Sequence, residues 1–294
     1  MMYRALHTTT YTYSEPVSIC HNEVYLRPRS SARQTVLHSE ITVDPEPGYF
    51  FSRRDYYGNE ATFFAIHEPH TELTVTAESI VEVHPVPAPP LDVSPAWEDV
   101  AEAARDHADA DALDAYQFAF ASHYVHTGND FAAYAMASFP TRRPLLEGVV
   151  DLSSRIHNQF KYAPRTTTIG TPVEETLKRR QGVCQDFAHV MISALRSLGI
   201  PARYVSGYLR SNAKSIGAED SHAWVAAWCP GFGWFDIDPT NDVIPAENHL
   251  TLAWGRDYAE VTPVKGVAVG GGEQKITVTV KVLPDSIERV IQLA

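Results

Sequence analysis

Gly182-Val183-Cys184-Gln185-Asp186-Phe187-Ala188-His189 is the stretch that decides how this chain of 294 residues is read. Beyond Cys184 apolar residues recur at Phe187, Met191, Leu195 and Leu198, with Ala188 and Ile192 beside them, until Gly199 and Pro201 stop the run. That spacing is helical, so Cys184 opens a helix. There the unpaired N–H groups and the positive end of the helix dipole favour a thiolate, and the same N–H groups could receive an oxyanion.

Two more stretches supply what a thiol nucleophile needs. His222 stands in a β-branched and aromatic run over residues 221–228, and Asp238 ends another over residues 234–237, ahead of Pro239-Thr240-Asn241. An imidazole within reach holds a thiol as thiolate, and a carboxylate fixes the imidazole's tautomer. Cys184, His222 and Asp238 are therefore the candidate catalytic residues: nucleophile, base and orienter. Asp236 lies two residues earlier on the same strand face, so by geometry either carboxylate could orient His222. His189, five residues beyond Cys184, is turned away from the thiol on a helix and reads as a packing or supporting residue. Trp224 and Trp234 read as core or site-wall aromatics.

These motifs resemble the bacterial transglutaminase-like superfamily, whose members share a papain-like Cys-His-Asp site on a helix packed against an antiparallel sheet. The resemblance includes Leu198-Gly199-Ile200-Pro201-Ala202-Arg203-Tyr204-Val205-Ser206-Gly207-Tyr208, His222-Ala223-Trp224, and Gly233-Trp234 ahead of Asp238-Pro239-Thr240-Asn241. Tyr11, Tyr13, Pro16-Val17, Arg27-Pro28-Arg29 and Gly58-Asn59 resemble the β-rich domain that precedes such cores, and Gly255-Arg256-Asp257-Tyr258 the segment that follows them. The resemblance selects Asp238 over Asp236 as the orienting carboxylate, and keeps Asp236 as a supporting candidate.

The resemblance implies thiol-dependent acyl transfer on a peptide or protein amide substrate. Water as acceptor gives hydrolysis, as in a cysteine peptidase or amidase; an amine gives transamidation, as in a transglutaminase. Hydrolysis leads, because bacterial members are regarded as cysteine peptidases. A peptide-binding or scaffolding module without turnover is the alternative from another class, and the presence of all three residues argues against it. Arylamine acetyltransferases share the chemistry, but the β-rich N-terminus and the Asp-Pro-Thr-Asn motif argue against that relationship. Animal transglutaminases need calcium; no EF-hand loop occurs here, and Asp236, Asp242 and Glu247 would be the acidic residues to hold such an ion, which is not expected. No metal and no cofactor are expected.

The fold class expected is α+β, in three segments. Residues 1–84 carry short alternating runs, as at 40–43, 62–66 and 73–77, and read as an antiparallel β domain. Residues 85–144 are a proline-rich linker followed by an acidic, alanine-rich helical segment with a solvated face. Residues 145–294 form the catalytic core with C-terminal strands. Within the core, Leu145, Val149, Leu152, Ile156 and Phe160 make the apolar stripe of a helix that buttresses the catalytic one. Ile276, Val278, Val280 and Val282 alternate as in a half-buried strand, which pairs either with the core sheet or with the N-terminal domain. The loops at 163–170 and 211–220 precede site elements and are candidates to shape a substrate groove, with Asp220 as a rim charge.

Composition sets the outer bounds. With 24 basic and 36 acidic residues the formal net charge is −12, which argues against nucleic acid or an anionic membrane surface as partner. The three cysteines, Cys20, Cys184 and Cys229, show no Cys-x-x-Cys spacing, so neither a disulfide framework nor a metal site is implied. Cys20 and Cys229 read as packing residues. No apolar h-region opens the chain and no stretch of about 18 apolar residues occurs, so a cytoplasmic location is expected.

Overall fold

The computed structural model of the protein describes residues 1–107, 109–210, 216 and 221–285. The chain begins with β1 (Met2–Val24), followed by β2 (Gln34–Asp44), β3 (Tyr49–Arg54), β4 (Glu60–Ile66) and β5 (His70–Val83). The proline-rich stretch then leads to three short helices, α1 (Trp97–Arg105), α2 (Ala110–Tyr116) and α3 (Asn129–Met136). Next comes α4 (Leu145–Gln159), whose predicted stripe of Leu145, Val149, Leu152 and Ile156 is fully buried. Two-residue strands β6 (Lys161–Tyr162) and β7 (Gln181–Gly182) bracket α5 (Val173–Arg179) and pair in parallel.

The core follows: α6 (Cys184–Ser197), β8 (Ala202–Leu209), β9 (His222–Cys229), β10 (Gly233–Ile237) and β11 (His249–Gly255). These strands form an antiparallel sheet in the order β10-β9-β8-β11. The periodic apolar positions of α6 read as a single stripe in sequence, yet every residue of the helix except Gln185 and Ser197 is buried. A helix buried all round is central, and α6 is enclosed by β8 and β9 together with α3, α4 and α5. At Gly207 in β8 a Cβ atom would run into Leu250 O and the Trp224 ring, so this close crossing admits only glycine.

The C-terminal strands β12 (Val264–Gly270) and β13 (Gln274–Pro284) leave the core. Grouped with residues 145–294 in sequence, they lie instead in the N-terminal sheet, whose order is β2-β5-β1-β4-β3 with β12 and β13 both on β1. The reason is the length of β1. Its first half pairs with β5 on one side and β13 on the other, Tyr3 facing Pro284 and Tyr13 facing Gln274; its second half pairs with β4 and β12. Tyr3, Ala5, His7 and Thr9 alternate inward along that strand.

The N-terminal sheet and the core share one hydrophobic interior, in which Tyr3, Ala5 and Val81 meet Tyr208, Leu250 and the α6 side chains. Polar clasps reinforce it. Gln34 Nε2 donates to Thr251 O at 2.7 Å while Thr251 N donates to Gln34 Oε1 at 2.9 Å. The buried Asn59 does the same for Trp254, donating to its carbonyl at 2.9 Å and accepting from its N–H at 3.0 Å. The Trp254 ring packs against the guanidinium groups of Arg29 from the N-terminal domain and Arg203 from β8, at 3.2 and 3.8 Å from its centroid. Asn59→Ala would strand both Trp254 backbone groups away from water, so a loss of about 2–3 kcal/mol is expected in urea unfolding. An unchanged midpoint and slope would contradict the clasp's role.

Candidate active site

Cys184 is the first residue of α6, and the turn before it is built around one carboxylate. Asp186 Oδ2 accepts from Val183 N at 2.8 Å, satisfying a donor at the helix start, and from Thr167 Oγ1 at 2.7 Å. A Cβ on Gly182 would collide with that carboxylate, which explains the glycine two residues before the thiol. Burial raises the Asp186 pKa, opposed by these hydrogen bonds. Thr167 belongs to the 163–170 loop, which is thereby tied to the first turn of α6. The 211–220 loop, including Asp220, lies outside the described residues apart from Ile216, whose N–H donates to Asn241 Oδ1 at 2.9 Å.

His222 opens β9 and Asp238 follows directly on β10, and the two side chains meet: His222 Nε2 donates to Asp238 Oδ2 at 2.8 Å, both groups fully buried. The Asp-Pro-Thr-Asn motif now has a physical explanation. Asp238 Oδ1 accepts from Thr240 N at 2.9 Å and Asn241 N at 3.3 Å, and Oδ2 also accepts from Asn241 Nδ2 at 2.8 Å. Reciprocal backbone bonds between Asp238 and Val243 close the turn. Asp236 is directed elsewhere: its Oδ2 lies 3.9 Å from Arg33 Nε, and the Arg203 charge is also nearby.

One participant went unread in the sequence. His249, the first residue of β11, donates from Nε2 to the same Asp238 Oδ2 at 3.2 Å. Eleven residues separate it from Asp238, and no spacing rule connects them; the pairing of β11 with β8 brings it in. Trp224 stacks near His222, with centroids 6.2 Å apart, and meets His249 edge-on at 5.2 Å. Among the described residues, His222, Asp238 and His249 are also the one group whose ligand atoms, within 4.8 Å of one another, could hold a metal ion. Three hydrogen bonds already converge on Asp238 Oδ2.

The electrostatics follow from this arrangement. Burial disfavours the charge on His222, but the Asp238 carboxylate outweighs it and Cys184 adds to it, so the His222 pKa is raised. For Asp238 burial is likewise opposed, by His222 and His249, and its pKa is held well below the usual carboxylate range. The second ring nitrogen, His222 Nδ1, is buried without a hydrogen-bond partner. His189 packs against Tyr124, with centroids 5.7 Å apart, and accepts from Tyr258 N at 3.3 Å; burial lowers its pKa, Asp257 opposing and Arg196 adding. Burial also raises the other two thiols, Cys229 to about 12 and Cys20 in the same direction, as fits packing residues.

The chain thus carries a thiol at a buried helix start and, on the adjoining antiparallel sheet, an imidazole held by a buried carboxylate. Residues 3–82 match the bacterial transglutaminase-like N-terminal region and residues 133–239 the transglutaminase-like superfamily. An uncharacterised protein of Mycobacterium tuberculosis is 39% identical over 292 residues, covering 96% of this chain and 92% of that protein. One from Mycobacterium leprae is 34% identical over 284 residues, covering 95% and 97%. A candidate cysteine protease from Cytophaga hutchinsonii has the same fold, with a TM-score of 0.73 at 22% identity over 96% of this chain and 90% of that one. A protein-glutamine gamma-glutamyltransferase of Pseudomonas aeruginosa is 37% identical over 97 residues, 30% of this chain and 14% of that protein. The chain belongs to the transglutaminase-like superfamily.

The raised His222 pKa gives a signed prediction. A raised histidine contributes stability that is complete below its unfolded value of 6.5 and is lost as pH rises through the folded value. Asp238, lowered from 3.8, contributes above that value. The destabilisation caused by Asp238→Asn should therefore be larger at pH 5.5 than at pH 9 in denaturant titrations. A difference independent of pH would show that the pair is not charged.

Proposed function

We propose that the protein is a thiol-dependent acyl-transfer enzyme acting on peptide or protein amide bonds, with Cys184 as nucleophile, His222 as base and Asp238 as orienter. The observation that carries this reading is the buried His222–Asp238 pair. With Nε2–H committed to the carboxylate, the unpartnered Nδ1 is the ring nitrogen left to exchange a proton with the Cys184 thiol.

The steps balance on these groups. The Cys184 proton passes to His222 Nδ1, and Sγ adds to the amide carbonyl. The first N–H groups of α6 have no partners within the helix and are available to the oxyanion. Collapse breaks the C–N bond, the His222 imidazolium returns its proton to the leaving amine, and a thioester on Cys184 remains. Water, deprotonated by His222 Nδ1, then releases the carboxylic acid and restores the thiol. Hydrolysis is the leading reading, in line with the fold shared with the Cytophaga protein. Transamidation is the second, favoured by the 37% identity to the Pseudomonas gamma-glutamyltransferase over the segment they share; an amine then replaces water in the last step.

Iodoacetamide labelling of Cys184 at pH 6, read by peptide mass spectrometry, tests the pair. Labelling should slow about tenfold or more in His222→Ala and by a smaller factor in His249→Phe, because an imidazolium holds the thiolate. Equal rates in all three proteins would remove the enzyme reading and leave a binding module. Casein digested with and without methylamine then assigns the acceptor: new termini mark hydrolysis, mass gain on glutamine marks transamidation.

A further inference from the structure

A cleft of about 620 Å³ is lined by residues of both the N-terminal sheet and the core. Its sheet side is formed by Tyr11, Tyr13 and Asn22 of β1, Val267 of β12 and Ile276 of β13; Tyr124, Tyr258 and Ile169 face them from the core. Two of these are fastened to α6. Tyr258 N donates to His189 on that helix, and the loop carrying Ile169 is held through Thr167 to Asp186, two residues from the thiol. Burial raises the Tyr258 pKa, with the charges of Tyr11, Tyr124 and Cys184 adding to it. The cleft is therefore walled by elements tied to the helix that opens at Cys184.

We propose that this cleft binds the acyl-donor polypeptide, as an extended segment with uncharged, apolar or aromatic side chains, so that the N-terminal sheet forms one wall of the substrate site. This rests on the acyl-transfer reading and adds the substrate class to it. Three observations select the occupant. The lining is aromatic and amide-bearing, with Asn22 and Gln274 as hydrogen-bonding side chains. Of its cationic side chains, Lys265 is paired with Glu23 at 2.9 Å, which leaves His123 as the remaining ionisable one. Finally, among the described residues β12 and β13 are paired only with β1, which leaves their outer edges open. Val267 and Val269 are 71% and 61% exposed there. An open apolar edge is the template on which an extended peptide adds as a further strand.

The test compares two electrophiles on Cys184 of the full chain. Iodoacetamide is too small to need the cleft; a tetrapeptidyl chloromethyl ketone with leucine and phenylalanine side chains fills it, losing chloride as the C–S bond forms. Val267→Glu and Ile276→Glu place a carboxylate in the cleft at exposed positions that the fold tolerates. The peptidyl-to-iodoacetamide rate ratio should fall about fivefold or more in each, through weaker reversible binding of the peptidyl reagent. Leu37→Glu, on β2 away from the cleft, should keep the wild-type ratio. A wild-type ratio in both cleft variants, or an equal fall in Leu37→Glu, overturns the proposal. Loss of the His222 dependence of iodoacetamide labelling would instead remove the acyl-transfer reading itself.

Discussion

A single carboxylate with no exposure to water organises the candidate site. Burying an ion in a protein interior costs several kcal/mol unless its lone pairs are satisfied. Asp238 meets that demand with five donors: two imidazoles, one amide side chain and two backbone N–H groups. Everything nearby serves this condition. The turn after β10 must be tight enough to aim Thr240 N and Asn241 N at Oδ1, and β9 and β11 must be in register to deliver His222 and His249 to Oδ2. The proposed chemistry is then a by-product of charge satisfaction, since an imidazole committed at Nε2 has only Nδ1 left to offer the thiol.

The helix supplies the other half, under a different constraint. α6 is buried on all sides, so its ends are the only places where its polar backbone can meet a ligand. Asp186 occupies one donor before the helix begins and holds the loop at Thr167.

Which of these features could be read in advance depended on how local they are. The start of α6 was legible because helical periodicity, Gly182 and the Gly199–Pro201 stop lie within one segment. His222 and Asp238 were legible because each sits in a short strand with its own signature. The decision between Asp236 and Asp238 was not legible from periodicity and rested on the family resemblance: both share a strand face, and what separates them is Arg33 and Arg203, which approach Asp236 from distant parts of the chain. His249 escaped for the same reason, since its role exists only through the pairing of β11 with β8. The alternation at 276–282 marked a strand without naming its partner. A period of two records which face is buried and is silent about what lies beside it.

The pairing of β1 with β12 and β13 bears on how the protein is born. Strand β1 cannot be enclosed on both edges until residues 264–284 have been made, roughly 260 residues later. At about 5–20 residues per second, that is tens of seconds with one edge of β1 open to other chains. Contacts this distant in sequence also slow folding once synthesis ends. The arrangement makes the sheet a check on completeness: a polypeptide broken off after the core still carries Cys184, His222 and Asp238, but leaves its opening strand half unpaired and exposed to proteolysis.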